Sequence, residues 1–269
     1  MKKLIMISFI AAAFFSSCHK AEELKYDSAE NVYIDYWDSK RDSVLYTFAF
    51  SPELGRDTIF IPVRIAGMPR DYDRQFSIQV LKDSSTAVEN KHYLPLDSLY
   101  TIKKNTTLTW VPLIILNSDP ALESKSVSIR VKLFSTKDLG ANLPELNKTK
   151  VVFSSKLEHE NWWNWWFDPT TWSVTKNQFF IIVTGLTSLT ENGLDAPKNQ
   201  YLASLVAAFL ADPAKWVAKN PSKGYVLEAR ADGNYDFYSK QNPDKKILYR
   251  KSPLNNLYYF IDENGNEIH

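Results

Sequence analysis

Five of the chain's eight tryptophans, Trp162, Trp163, Trp165, Trp166 and Trp172, fall within the stretch Glu158–Trp172. Indole faces stack on the apolar face of a sugar ring or along an extended peptide, so this run is a candidate ligand platform. The same rings fill cores and domain junctions, and that reading stands beside the first. On a helix, position 162 shares a face with 165 and 166; on a strand, 163 and 165 point one way and 162, 164 and 166 the other. Apolar surface emerges on more than one side in both cases. That favours burial between elements and leaves a ligand role to Trp163 or Trp165. Glu158 and Glu160 beside the run are the candidate carboxylate pair for glycoside hydrolysis, a chemistry that needs two acids at a set separation. Two solvated side chains are the commoner outcome for such a pair, and the chain is read as non-catalytic.

Other chemistry is sparse. His19, His92, His159 and His269 lie without metal-ligand spacing, so neither a metal nor a cofactor is expected. No Gly-x-Ser-x-Gly elbow, P-loop or His-Glu-x-x-His segment occurs. With eight glycines in all, a phosphate-cradling loop has little to be built from. Asp262–Glu267 superficially resembles an EF-hand loop, but its glycine stands fourth where the sixth position is required. Lys plus Arg (32) nearly equals Asp plus Glu (31), which leaves no field for nucleic acid.

The N-terminus is set apart from the fold. Met1-Lys2-Lys3 is a positive start, and Leu4–Phe15 is an apolar run too short to span a bilayer as a permanent helix. Ser16, Ser17 and then Cys18, the single cysteine, follow. This arrangement resembles a bacterial lipobox, in which the cysteine is lipidated and becomes the new N-terminus. Residues 1–17 are then a lipoprotein signal peptide and 18–30 a polar tether. His19-Lys20-Ala21-Glu22-Glu23 is similar to the export signal of Bacteroidota surface lipoproteins, interrupted by Ala21. An outer-membrane protein, lipid-anchored and exposed at the cell surface, is the expectation. No intrachain disulfide can form.

The elements that would hold the tryptophans fall into two halves. Residues 31–155 alternate with period two in Val32–Tyr36, Ser43–Phe50, Asp57–Ala66, Gln75–Leu81, Ser98–Lys103, Thr107–Leu116 and Ser126–Phe134, with Lys150–Phe153 as a last strand. Ile59, Ile61, Val63 and Ile65 share one face, as do Val127, Ile129, Val131 and Leu133. Pro62 and Pro112 predict edges or bulges. The spacing predicts an antiparallel β-sandwich of immunoglobulin or fibronectin type. Residues 156–269 hold the Trp-rich junction and a mainly helical domain with short β-hairpins, for an α+β chain overall. Thr171–Leu189 contains an apolar run, Phe179–Val183, that pattern alone leaves between helix and strand. Pro197–Ala211 is helical, with rows Tyr201/Leu205/Phe209 and Leu202/Val206/Leu210. Asp212-Pro213 caps a short helix, and Asp232-Gly233 predicts a primed hairpin turn.

Asp73–Val80 followed by Ser85–Tyr93 resembles the Asp-Arg, strand, Thr-Ala, Gly-x-Asp-Tyr pattern of Calx-beta-like sandwiches and of a Bacteroidota surface lipoprotein family of unknown function. Asn90 and His92 stand where that pattern has glycine and aspartate, which argues against a calcium role. That lipoprotein family has a helix built on Ser-x-x-Lys-aromatic, matched by Ser173, Lys176 and Phe179. It also ends in an acidic-acidic-x-Gly segment and a hydrophobic position, matched here up to Ile268. The resemblance implies an accessory lipoprotein of nutrient importers of the starch-utilisation type, a TonB-dependent channel with its lid lipoprotein, capturing a glycan or peptide. A structural assembly subunit with no ligand of its own is the alternative. Replacing Cys18 by Ser is expected to abolish palmitate labelling and release the chain from the membrane fraction, as followed by radiolabel and fractionation.

Overall fold

The computed structural model describes residues 30–36 and 43–269. Cys18, the leader and the tether up to residue 29 lie outside them. Among the described residues twelve strands and four α-helices follow in order. The strands are β1 (Asn31–Ile34), β2 (Ser43–Thr47), β3 (Arg56–Ala66), β4 (Arg74–Val80), β5 (Tyr100–Ile102), β6 (Leu108–Leu116), β7 (Val127–Phe134), β8 (Lys148–Ser154), β9 (Tyr225–Ala229), β10 (Tyr235–Ser239), β11 (Asn242–Lys251) and β12 (Tyr258–Phe260). The helices are α1 (Asn161–Trp166), α2 (Val174–Thr184), α3 (Ala196–Ala211) and α4 (Pro213–Lys219).

β1–β8 form a two-sheet sandwich, ordered β1-β3-β6 in one sheet and β2-β8-β7-β4-β5 in the other. The period-two faces close on one core. Ile61, Val63, Val111, Leu113, Ile129, Val131, Phe76 and Val151 are all buried there. A fully buried side chain of this kind contributes about 1.5–3 kcal/mol. One expectation is corrected: β2 joins β8 in parallel, so the sandwich is not wholly antiparallel. Pro112 lies on β6, an edge strand, as its missing donor requires. Pro62 instead lies on the central strand β3, just past the end of β1, where its carbonyl accepts from the Asp35 amide at 2.9 Å.

The residues of the Asp-Arg pattern are structural. Arg74, 1% exposed, donates to Glu30 at 2.6 Å and to the carbonyls of Met68 and Thr106. Glu30, assigned to the tether from sequence, is therefore a sandwich residue. Asp73 accepts from the Lys104 amide at 2.8 Å and from the Lys103 ammonium at 2.9 Å. Asn90 has φ 62°, the left-handed conformation a glycine would take there and one that asparagine tolerates. His92 is buried, and its Nδ1 accepts from the Val88 amide at 2.8 Å. Its proton is thus on Nε2, donated to Asp119 Oδ2 at 2.8 Å. Asp119 also accepts from Lys91 at 2.9 Å and from the Ala121 amide at 3.1 Å. The Lys91 contact, with those of His92 and Ala121, holds its carboxyl well below the usual range.

The second half departs from the expected mainly helical domain with short β-hairpins. β9–β12 form one antiparallel sheet, ordered β12-β11-β10-β9, with helices packed on it. Its chemistry is aromatic: Phe179, Phe209, Phe237 and Phe260 meet at centroid distances of 4.5–5.9 Å. The turn after β9 is not of the primed type. Gly233, with φ 83°, is left-handed and Asp232 is not; the Gly233 amide donates to Arg230 O, and Arg230 N to Asn234 O. This is a type I turn closed by a glycine bulge.

The two halves meet closely. A Cβ on Gly55 would lie 2.5 Å from the Gln241 carbonyl, so glycine is what lets the start of β11 approach. Asn242 donates to Leu54 O and Asn117 O at 3.4 Å each, and Lys245 pairs with Glu123 at 2.6 Å.

Asp119→Asn is expected to lower stability by about 1–3 kcal/mol at pH 7, the range for loss of buried charge-assisted hydrogen bonds. The folded carboxyl titrates below its unfolded value of about 3.9, so its stabilisation is present above that pH and lost as pH falls through the folded value. The gap in melting temperature between wild type and variant should therefore narrow below about pH 4.

Candidate functional site

The tryptophan run is first a core. Trp162 (4% exposed) and Trp163 (0%) on α1 are buried against Phe180, Ile181 and Val206. Trp163 stacks on Phe167 at 4.2 Å, and Trp162 meets Phe180 at 5.0 Å. Trp166 is half-buried, and its indole N–H donates to Thr190 O at 2.8 Å. Trp172 is half-buried with His159 stacked over it at 4.8 Å. Trp165, 61% exposed, is the one indole of the five presented to solvent. Burial removes Trp162 and Trp163 from the expected platform, and it does so for the reason the periodicity indicated: indoles leave α1 on several sides. Glu160 accepts from the Trp162 indole at 3.0 Å and Glu158 pairs with Lys156 at 2.7 Å, both at the surface.

α2 backs this core and carries the next candidate. Ser173 Oγ accepts from the Lys176 amide at 3.0 Å, and Gly185 ends the helix with φ 73°. These two caps resolve the strand-or-helix ambiguity of Phe179–Val183. Phe180 and Ile181 face the tryptophans; Phe179 and Ile182 face the sheet. Glu263 reaches back to accept from the amides of Val174 (2.8 Å) and Thr175 (3.1 Å). The acidic-acidic-x-Gly tail thus serves the start of α2: Glu263 caps it, Gly265 turns at φ 87°, and Ile268 enters the core.

A cleft of about 640 Å³ opens where these pieces meet. Phe167, the ring stacked on Trp163, forms part of its wall. α3 supplies Ala203, Val206, Ala207 and Leu210, while Tyr249, Tyr258 and Tyr259 come from β11 and β12. Lys176, Asn256, Ile268 and His269 are among the other lining residues. Lys176 is 6% exposed, and its ammonium donates to Thr171 Oγ1 at 2.8 Å. Burial lowers its pKa from the ordinary lysine value, with Asp168 opposing weakly. Sequence reasoning missed this cleft. Its signal was the alanine row 203, 207 and 211, four residues apart on α3, beside the larger Leu202/Val206/Leu210 row. Among the described residues no group of three or more His, Cys, Asp or Glu is placed to hold a metal ion, and no helix is long and apolar enough to cross a membrane.

Residues 26–186 match the model of a domain of unknown function (DUF4843), and the chain belongs to that family. No curated protein matches the sequence. Among solved structures, a proposed carbohydrate-binding protein from Bacteroides ovatus is similar at TM-score 0.37 and 10% identity, over 48% of this chain and 38% of that one. The chain therefore spans well under half the length of that protein. A Calx CBD1 domain in its apo form is similar at TM-score 0.34 and 11% identity, over 47% of this chain and 97% of that domain. A second Bacteroides ovatus protein, of unknown function, gives TM-score 0.34 at 14% identity, over 46% of this chain and 43% of its own.

Trp163→Ala is expected to destabilise the protein by about 3–5 kcal/mol, the range for emptying a packed aromatic site. Trp165→Ala should stay within about 0.5 kcal/mol. Denaturant unfolding of the two variants checks the contrast.

Proposed function

Starting from membership of that family, we propose that the protein is a non-catalytic capture subunit of the outer-membrane surface. It is anchored by lipid on Cys18 and holds a nutrient ligand, peptide or glycan, for a TonB-dependent channel and its lid lipoprotein. The lipobox resemblance supports the location. The cleft carries the ligand reading. Its volume lies in the range of small-ligand sites, its walls are mostly alkyl and aromatic, and its few polar groups converge from separate elements. None of the described residues lining it is an aspartate or glutamate, so among them the paired acids of a glycosidase are lacking. Trp165 adds a single exposed ring, not a platform.

A second reading, an assembly subunit with no ligand, is favoured by one surface. Phe60 (57% exposed) and Trp110 (55%) stand on the outer face of β3 and β6, opposite Pro112 and Pro62 respectively. Pro62 is buried, and the three exposed side chains Phe60, Trp110 and Pro112 on adjacent strands make an apolar patch of the kind used for protein contacts.

Ala207 lies on the open side of α3, so Ala207→Trp can fill the cleft without entering the core. Peptide and glycan panels should give binding to wild type that Ala207→Trp abolishes, with melting temperature retained. Binding that persists in the filled variant, or no binding by wild type, would sink the capture reading. Co-purification with channel and lid that is lost in Phe60→Ser/Trp110→Ser would then select the assembly role.

A further inference from the structure

Lys176 is the feature of the cleft that packing alone does not account for. It stands in the first turn of α2, where unpaired amides and the helix dipole make a cation unwelcome. It is 6% exposed, yet among the described residues no carboxylate lies within ion-pair distance of its ammonium. Of two acids at the start of α2, Asp168 acts on Lys176 by its charge without forming an ion pair, and both have other donors. Asp168 accepts from the amide and hydroxyl of Thr170 at 2.8 and 2.7 Å, and Glu263 from the amides of Val174 and Thr175. Thr171 Oγ1 supplies one hydrogen bond to a group with three donors. A buried ammonium left in this state is destabilising unless an anion reaches it.

The rest of the lining says what else that anion carries. Ala203, Ala207 and Leu210 on one side and Ile268 on the other offer alkyl surface with no polar atom. A sugar would bury hydroxyls there without partners. Half-buried Tyr249 and exposed Asn256, whose side chains are not hydrogen-bonded among the described residues, also line the cleft. They suit an amide group close to the apolar part.

Building on the capture reading, we infer that the cleft takes an apolar carboxylate. The ligand's carboxylate pairs with the Lys176 ammonium, and its alkyl or aryl body lies between α3 and Ile268. Two sources share this chemistry, the free C-terminus of a peptide with an apolar last residue and a fatty acid.

The test uses the whole lipid-free chain and calorimetric titration with four probes: Ala-Ala-Phe, Ala-Ala-Phe-amide, decanoate and decanol. At least one acid should bind wild type about tenfold or more tighter than its neutral counterpart. Lys176→Met, which keeps the length and apolar stem, should bring that acid down to the neutral level and leave the neutral probe unchanged. Preference for the tripeptide or for decanoate names the source. Equal binding of acid and neutral probe to wild type overturns the inference while leaving capture intact, and this holds even where Lys176→Met fails to fold. Binding of none of the four probes to wild type overturns the inference as well, and loss of the panel binding too would remove the capture reading with it.

Discussion

The second half of the molecule depends on burying one helix on all sides. α2 has eight of its eleven residues buried, with Phe180 and Ile181 in one core and Phe179 and Ile182 in another. A helix so enclosed cannot leave its terminal amides and carbonyls to water, and each end is served from afar. At the start, Ser173 and Glu263 accept from the amides of residues 174 to 176. At the end, the Lys223 ammonium donates to Ile182 O at 2.5 Å. An acid at the positive end and a base at the negative end match the helix dipole. The sheet β9–β12, the helices α3 and α4, and the return of the tail are what is needed to cover α2 and reach its ends.

The sandwich meets this layer by polar contacts at its rim and by a small apolar one. Ala49, just after β2, packs in the tryptophan core, and Gln178 of α2 donates to Glu123 at 3.0 Å. The Asp119–His92–Lys91 cluster ties together the loops before and after this rim, the second of which carries Glu123. Loops that would otherwise leave buried polar atoms unpaired are thus fastened to one another. The rim can then present Gly55 and Asn117 to β11 at close range.

The strands of the sandwich were legible because each has one buried and one exposed face, so the side-chain alternation is written directly into residue type. β7 is the clearest case, buried at Val127, Ile129, Val131 and Leu133. β2's parallel partner left no such mark, since parallel and antiparallel neighbours ask for the same alternation. α2 was ambiguous for the opposite reason. Buried all round, it has no polar face to set a period, and only Ser173 and Gly185 at its ends speak for a helix. The hairpins of the last fifty residues could be seen singly, but their merger into one sheet depends on β11 pairing on both edges, with β10 and with β12, which residue type alone does not mark. The cleft was not legible because it is a space left by small side chains, and an alanine row on a helix reads equally well as close packing.

That difference bears on what the tryptophans are for. A ligand platform requires rings that stay in water until the ligand arrives, and four of the five here are wholly or partly covered by the protein itself. Their effect on the cleft is indirect but physical. Trp163 fixes Phe167 by stacking at 4.2 Å, and Phe167 is the wall of the cleft on that side. Val206, packed in the same core as Trp163, lines the cleft from α3. Because protein interiors are close-packed and transmit small displacements, a change of volume at Trp163 would reach both walls. The aromatic run thus acts as the mould against which the cleft takes its shape. Lys176, one turn from Phe180 on the helix that backs the run, then sets where charge sits within it.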